Sequence, residues 1–219
     1  MNALTFISAL DKGVTSFIKL PSPYLAIPPF AMRYVCLDFE TNGFPLKGAS
    51  FADWTLPFSS YPVQLSVDAV EDGEVSHLYD TVICGVTSRA PWARENVHLS
   101  LEQIAAGRPF GGMLLDLAGL IQEGDTLVAH NAAFDLNTAI GRTADKLNID
   151  TPELRKILAT PRFCTMRCAY SRGVFKRNAK LHELCEHFQV TLTNAHDAAA
   201  DSMALARCVA EALRRGVML

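Results

Sequence analysis

Apolar residues occur along the chain in short runs that end at polar or turn-forming residues. Residues 34–37 have the composition of a buried strand, which ends at two acidic residues separated by one phenylalanine. Residues 63–70 and 74–83 alternate or run apolar on either side of Glu71-Asp72-Gly73, a sequence typical of a hairpin turn. We therefore predict that the first three strands form an antiparallel meander.

Helical spacing of apolar residues recurs in the second half of the chain. It predicts helices over residues 101–106, 112–122, 135–147, 179–188 and, in an alanine-rich stretch, 194–214. Between the second and third of these, Thr126–Ala129 has the composition of a short buried strand. A chain of 219 residues that is 49% hydrophobic and 20% charged is expected to form one domain with a substantial core.

Residues 1–31 have a pattern of their own. Apolar residues at helical spacing from Leu4 to Ile18 predict an amphipathic helix, and four prolines from Pro21 to Pro29 predict an extended linker after it. The segment lacks a basic start and contains Asp11, which argues against a secretory signal, and no run is long enough to span a bilayer. We expect this helix to pack on a domain formed by residues 32–219; partner binding or organelle targeting are the alternatives.

The six cysteines follow no regular spacing and lie partly within apolar runs, which is typical of buried, reduced thiols. A reducing compartment, and so a cytoplasmic location, is expected. The alternative is a zinc site built from Cys164, Cys168, His182, Cys185 and His187. Their spacing matches none of the common zinc motifs, and they alternate with expected core positions, so this alternative is disfavoured.

Asp38 and Glu40, at the end of the first strand, are the first candidate functional residues. Alternate side chains of a strand point the same way, so both carboxylates lie on one face of the sheet. Two acids on one face repel each other unless a divalent cation binds between them. The alternative, an edge strand with a solvated acidic end, fits poorly because the preceding residues have the composition of a buried strand.

Further acidic residues follow later in the chain. Asp135 comes just after the predicted strand Thr126–Ala129, in the first turn of a helix, where a carboxylate also favours helix capping. His196 and Asp201 are five residues apart at the start of the alanine-rich helix, so both side chains face one side. Histidine adds a group that can take a proton near neutral pH. Together with the first pair, these residues predict one metal-dependent site.

Three ordered motifs carry a family resemblance: Asp38-Phe39-Glu40-Thr41-Asn42-Gly43, His130-Asn131-Ala132-Ala133-Phe134-Asp135, and His196-x4-Asp201. In this order they resemble the exonuclease motifs of the DnaQ-like DEDDh family of 3′-to-5′ exonucleases, which includes the proofreading epsilon subunit of bacterial DNA polymerase III. The resemblance covers residues 33–213. It implies an α/β, RNase H-like fold with a mixed five-stranded sheet flanked by helices.

The resemblance also implies roles for individual residues. Two Mg²⁺ or Mn²⁺ ions would be held by Asp38, Glu40, Asp135 and Asp201, with His196 as the general base. Residues that would bind the substrate are Thr41, Asn42, Gly43, Phe44, His130, Asn131 and Phe134. Phe44 would either wedge against the terminal base or pack beneath the loop of residues 44–61, which is longer than in compact members. Asn42 stands where a second threonine is common.

The implied substrate is the 3′ end of single-stranded nucleic acid, with DNA favoured and RNA trimming as the alternative. Ten of the 20 basic residues lie between Arg142 and Lys180, against three acidic residues, which favours contact with a phosphate backbone. A DNA polymerase subunit is a possible partner. Two further interpretations stay open at this point: a haloacid-dehalogenase-like phosphatase, which also begins with Asp-x-acid after a strand, and a non-catalytic module on the same fold.

Overall fold

The computed structural model describes residues 33–43 and 60–217. The predicted N-terminal helix and linker, Phe44 and residues 45–59 of the loop after it lie outside the described residues.

A mixed five-stranded sheet forms the centre of the described structure. Its strands are β1 (Arg33–Thr41), β2 (Pro62–Glu71), β3 (Glu74–Val82), β4 (Thr126–Ala129) and β5 (Arg162–Cys164), in the spatial order β3-β2-β1-β4-β5. The pairs β1–β2 and β2–β3 are antiparallel, whereas β1–β4 and β4–β5 are parallel. This confirms the predicted meander and the predicted mixed sheet. The edge-strand interpretation of β1 is wrong, because β1 is the central strand.

Nine helices of the described residues flank this sheet. They are α1 (Pro91–Asn96), α2 (Leu101–Ala105), α3 (Phe110–Leu120), α4 (Ala133–Arg142), α5 (Thr143–Leu147), α6 (Pro152–Ala159), α7 (Thr165–Ser171), α8 (Leu181–Phe188) and α9 (Ala198–Arg214). Each of the five predicted helical segments is helical, with shifted ends. The segment predicted as one helix over residues 135–147 is a π-helix, α4, that continues as α5. Helices α1, α6 and α7 and strand β5 were not predicted.

Side chains of β1 alternate between the two faces of the sheet. Val35, Leu37 and Phe39 belong to a buried cluster that includes residues of α3, α4 and α6. Tyr34 and Cys36 belong to a second buried cluster, with residues of α7, α8 and α9. By the same alternation, Asp38 and Glu40 point toward the α9 side.

Helix α9 packs against β1 and β2, and most of its buried side chains are small. Ala204, Ala206, Ala210 and Ala212 are all buried, together with Leu205 and Val209. Short side chains let the backbone of a helix approach the strands closely, which brings the first turn of α9 up to the end of β1. The alanine-rich composition therefore helps to position Asp201.

All six cysteines lie in the described residues, and none forms a disulfide. Among the helices of residues 33–43 and 60–217, none is both long enough and apolar enough to cross a membrane.

Candidate active site

Asp38 and Glu40 stand at the end of β1, where the strand leaves the core. Glu40 is buried and pairs across the sheet with Gln64 of β2, while Asp38 is partly exposed. After Glu40 the register of the β1–β2 ladder shifts, and the chain turns. The two carboxylates therefore lie on one face at the edge of a pocket, which both residues line.

The parallel pairing of β1 with β4 brings the second motif to the same edge. Cys36 lies beside Val128, so the residues that follow β4 reach the end of β1. The carbonyl group of Asn131 accepts hydrogen bonds from the backbone N–H groups of Phe134 (2.7 Å) and Asp135 (3.2 Å), which starts α4. Asp135 is buried, and the backbone amide of Phe39 is close enough to lower the pKa of its carboxyl group, against the larger effect of burial. Asp135 therefore lies against the backbone between the two acidic residues of β1.

Asp201 and His196 reach the pocket from the start of α9. Asp197 caps the helix by accepting a hydrogen bond from the N–H of Ala199 (3.0 Å). The backbone N–H of His196 donates to Oδ2 of Asp201 (3.2 Å), and His196 itself has a positive φ of 70°. Ligand atoms of Glu40, His196 and Asp201 lie within 4.8 Å of one another. The third motif thus meets the first at a spacing that suits a metal ion.

The four carboxylates disfavour each other's ionisation. Burial and then the charges of Asp201 and Asp135 raise the pKa of Glu40 to about 8. Burial raises the pKa of Asp135 to about 7. Burial, followed by the neighbouring carboxylates, raises the pKa of Asp38 well above its usual value, and burial also raises that of Asp201. In such a site, divalent cations would offset both the burial and the repulsion.

An unsatisfied oxygen supports this interpretation. Oδ1 of Asp201 is buried and has no hydrogen-bond partner in the described structure. A buried carboxylate oxygen without a donor is costly, and a bound cation would satisfy it. The carboxylate oxygens of Asp38, Glu40, Asp135 and Asp201 are donors of the kind that suits Mg²⁺ or Mn²⁺. Among the described residues, the group that could hold a metal ion consists of Glu40, His196 and Asp201, and it includes none of the cysteines and histidines of the disfavoured zinc alternative.

The residues after Glu40 stabilise the turn. The hydroxyl of Thr41 donates to the carbonyl of Gly43 (2.9 Å), and the φ of Gly43 is 137°, a region that favours glycine. The side-chain amide of Asn42 donates to the carbonyl of Ser88 (2.9 Å), and its oxygen accepts from the N–H of Ala90 (3.2 Å). Asn42 thereby ties the end of β1 to the start of α1. A role of Thr41, Asn42 and Gly43 in substrate binding stays a prediction.

His130, Asn131 and Phe134 all line the pocket, as the prediction of substrate contact requires. The ring of His130 is buried, and its nitrogens lie 2.9 Å from the hydroxyl of Thr165 and 2.9 Å from the carbonyl of Ala179. Burial lowers the pKa of His130, which favours the neutral ring. Both ring nitrogens are engaged, so His130 holds the pocket wall together. Asn131 is exposed and Phe134 half-buried, as substrate contacts would be.

Three lining residues were not predicted from the sequence: Phe39 of β1, Trp92 of α1 and Leu181 of α8. The ring centroid of Trp92 lies 5.8 Å from that of His196, and the two planes meet at 82°. The one local signal was a tryptophan next to a proline in a short polar stretch. That signal does not show which pocket the helix borders.

Several basic residues between Arg142 and Lys180 form ion pairs or hydrogen bonds within the protein. Arg155 pairs with Asp150 (2.8 Å), and Arg177 pairs with Glu183 (2.6 Å). The ammonium group of Lys156 donates to two carbonyl groups at the end of α3. The charge count of the segment therefore overstates the positive charge that a phosphate backbone would meet.

Several solved structures share this fold. The nuclease domain of 3'hExo bound to rAMP, described as a DEDDh family member, has a TM-score of 0.64 and 14% identity, over 87% of this chain and 96% of that one. Exonuclease X in complex with 5' overhanging duplex DNA has a TM-score of 0.61 and 15% identity, over 84% and 94%. E. coli Exonuclease I with a dT13 oligonucleotide has a TM-score of 0.62 and 16% identity, over 84% and 41%.

Comparison of the amino-acid sequence with models of known families identifies the family of this chain. No curated protein matches the chain significantly. The model of the RNase_T family, described as Exonuclease, matches residues 78–209. The matched segment includes Asp135, His196 and Asp201, and it covers more than half of the chain. The chain therefore belongs to the RNase_T exonuclease family.

Proposed function

We propose that this chain removes nucleoside monophosphates from the 3′ end of single-stranded DNA, using two divalent cations and a histidine general base. One observation carries the proposal. Asp38, Glu40, Asp135 and Asp201, which come from three separate elements, converge with His196 on a single pocket. Four carboxylates that raise one another's pKa would be costly in a site that never bound cations.

The RNase_T family is metal-dependent, and the donor set of this pocket suits Mg²⁺ or Mn²⁺. Asp38, Glu40, Asp135 and Asp201 would hold the two ions, and Oδ1 of Asp201 is available for this because it is buried without a hydrogen-bond partner. Bound cations of this kind lower the pKa of water and neutralise the charge that develops on phosphate oxygens. The protein contributes a fixed set of oxygens on a rigid sheet and two helices.

His196 would act as the general base that takes the proton of the attacking water. Its backbone is held by the hydrogen bond to Asp201, and its ring is exposed at the rim of the pocket. An imidazole accepts protons near neutral pH, and an exposed ring can pass the proton on to solvent. This position suits a base better than a buried one would.

The terminal nucleotide would lie against the apolar part of the pocket wall. Phe134 and Leu181 supply this wall, next to the carboxylates. Aromatic rings stack on bases without regard to sequence, which suits an enzyme that removes one nucleotide after another. DNA is proposed as the main substrate, since Exonuclease X and Exonuclease I were both solved with DNA, whereas 3'hExo was solved with rAMP. RNA trimming is the competing possibility, which a direct comparison of DNA and RNA oligonucleotides decides.

A phosphatase activity and a purely non-catalytic role are less well supported. Membership of the exonuclease family rules against the haloacid-dehalogenase-like phosphatase. The presence of all five groups in one pocket argues against a non-catalytic module. A polymerase partner that docks on residues 1–31 stays a prediction, because those residues lie outside the described part of the chain.

The test uses the full chain and oligonucleotides labelled at either end, with Mg²⁺ or with a chelator. A 5′ label should give a ladder of shortened products, a 3′ label should give labelled mononucleotide at once, and a 3′-phosphate should block the reaction. Asp201→Asn is the inactive control. Cleavage of circular single-stranded DNA, or full activity in the chelator, would contradict the proposal. Matched DNA and RNA oligonucleotides then decide the preferred substrate.

A further inference from the structure

Trp92 lies in the wall of the pocket on a helix that carries none of the five motif residues. Its ring meets that of His196 in an edge-on arrangement, with centroids 5.8 Å apart and planes at 82°. Aromatic rings favour this geometry because the positive edge of one ring meets the negative face of the other. We infer that Trp92 is a positioning residue, which holds the ring of His196 in its catalytic orientation. The inference rests on the proposed role of His196 as general base.

His196 needs such a support because its own segment gives it little. It is exposed, it precedes α9, and its φ is 70°, a conformation that residues other than glycine seldom adopt. The bond from its backbone N–H to Asp201 fixes the main chain and leaves the side-chain torsions free. A base must stay within hydrogen-bond reach of the water it deprotonates. Contact with a large ring restricts the orientations that the imidazole can take.

Trp92 is itself well fixed, which a positioning residue requires. Helix α1 begins at Pro91, and the turn before it is bound to the side chain of Asn42. On the inner side of α1, Ala93 and the capping residue Val97 are buried. The side-chain amide of Asn96 donates to the carbonyl of Trp92 (2.8 Å). Asn42 therefore connects the end of β1 to the segment that leads into Trp92, and the ring of His196 packs edge-on against that of Trp92.

Trp92 also lines the space that a nucleotide would occupy, so a direct contact with the substrate is the competing explanation. The two explanations predict changes in different kinetic parameters when Trp92 is replaced. A residue that only binds substrate changes KM and acts whether or not His196 is present. A residue that positions His196 changes kcat and has nothing left to act on once the imidazole is removed.

The experiment is a double-mutant cycle of Trp92→Leu and His196→Ala in the full chain, at saturating Mg²⁺ on a 3′-hydroxyl oligonucleotide. Trp92→Leu should lower kcat roughly 2- to 10-fold, the range that an edge-on ring pair accounts for, with KM unchanged. Trp92→Phe keeps a ring and should recover most of the loss. Glu95→Gln, an exposed change on the same helix, is the control and should match the wild type. Thermal unfolding confirms that each variant is folded.

The cycle separates this inference from the proposed function. In the His196→Ala background, Trp92→Leu should have no further effect on kcat. An equal loss in both backgrounds, or a loss confined to KM, would overturn the positioning role and leave the exonuclease proposal intact. If the His196→Ala variant alone kept the wild-type kcat, His196 would not be the general base. The inference about Trp92 would then lose its basis.

Discussion

The hydroxyl of Ser202 lies 2.5 Å from the carboxylate of Asp68, at a point where α9 crosses β2 and neither residue reaches solvent. Ser202 directly follows Asp201, so this contact fixes α9 along the sheet at the position of a proposed metal ligand. The other oxygen of Asp68 lies 3.0 Å from Nδ1 of His77 on the neighbouring strand. A buried carboxylate needs such partners, because transferring its charge from water is costly.

Ser202→Ala should therefore lower the free energy of unfolding by about 1–3 kcal/mol, the usual cost of leaving a buried polar group without its partner. Urea unfolding at constant pH measures the change. Ser76→Ala, at an exposed position of β3, is the matched control and should have little effect. Similar losses in the two variants would mean that the contact with Asp68 contributes nothing specific.

Removal of one of the four carboxylates should lower the activity but raise the stability of the metal-free protein. Asp38→Asn should abolish hydrolysis, because it removes a cation ligand, yet binding of a labelled oligonucleotide should persist. In the metal-free protein the same change removes a partly buried, repelled carboxylate, so the thermal midpoint should rise. Calorimetry with a chelator measures this shift, and electrophoretic mobility measures binding. Turnover close to that of the wild type would contradict the ligand assignment.

The stability of the metal-free protein should fall as the pH rises. Glu40 has a folded-state pKa of about 8 against an ordinary value of 4.5, and Asp135 has a pKa of about 7 against 3.8. At a pH between the ordinary and the folded-state pKa of these groups, the folded protein binds more protons than the unfolded chain. The free energy of unfolding therefore falls as the pH rises from about 4 to about 8. Thermal midpoints over this range with a chelator test the sign.

Saturating Mg²⁺ should remove most of this pH dependence and stabilise the protein more at pH 8 than at pH 5, because cations compete with protons for the same oxygens. Glu40→Gln is the informative variant, since it removes one of the carboxylates with a raised pKa and should flatten the metal-free curve. A metal-free protein that becomes more stable on going from pH 5 to pH 8 would show that the carboxylates are not buried together.

The sequence was informative where one local pattern determines the geometry. The apolar run before Asp38 and Glu40 predicted a buried strand, and the period of two placed both acids on one face, as the structure has them. The spacing of His196 and Asp201 likewise predicted that both face one site. In each case a few neighbouring residues decide the outcome, so no distant contact had to be known.

Elements that depend on distant contacts were not predictable. Strand β5 has three residues and α1 has six, too few for a periodic pattern, and each is fixed by its neighbours in space. Nothing in the sequence distinguishes the π-helical winding of α4 from an α-helix. The charge of the basic segment was misleading for the same reason, because the partners of Arg155 and Lys156 become visible only in the fold.

His196 is the residue for which the geometry leaves two roles open. Its ring nitrogen lies within 4.8 Å of the carboxylate oxygens of Glu40 and Asp201, close enough for it to bind a cation with them. We assign it instead to proton transfer, since it is exposed at the rim while the acids are buried below. A general base contributes roughly 10²- to 10⁴-fold to the rate, whereas a ligand would also contribute to metal affinity.

His196→Ala should therefore lower kcat by about 10²- to 10⁴-fold, while the Mg²⁺ concentration for half-maximal activity stays the same. Added imidazole should restore part of the rate, because a small base can enter the space that the side chain leaves at the exposed rim. His98→Ala, an exposed histidine away from the lining of the pocket, is the matched control and should behave as the wild type. A variant that needs far more Mg²⁺ and then recovers full turnover would show that His196 is a metal ligand and not the base.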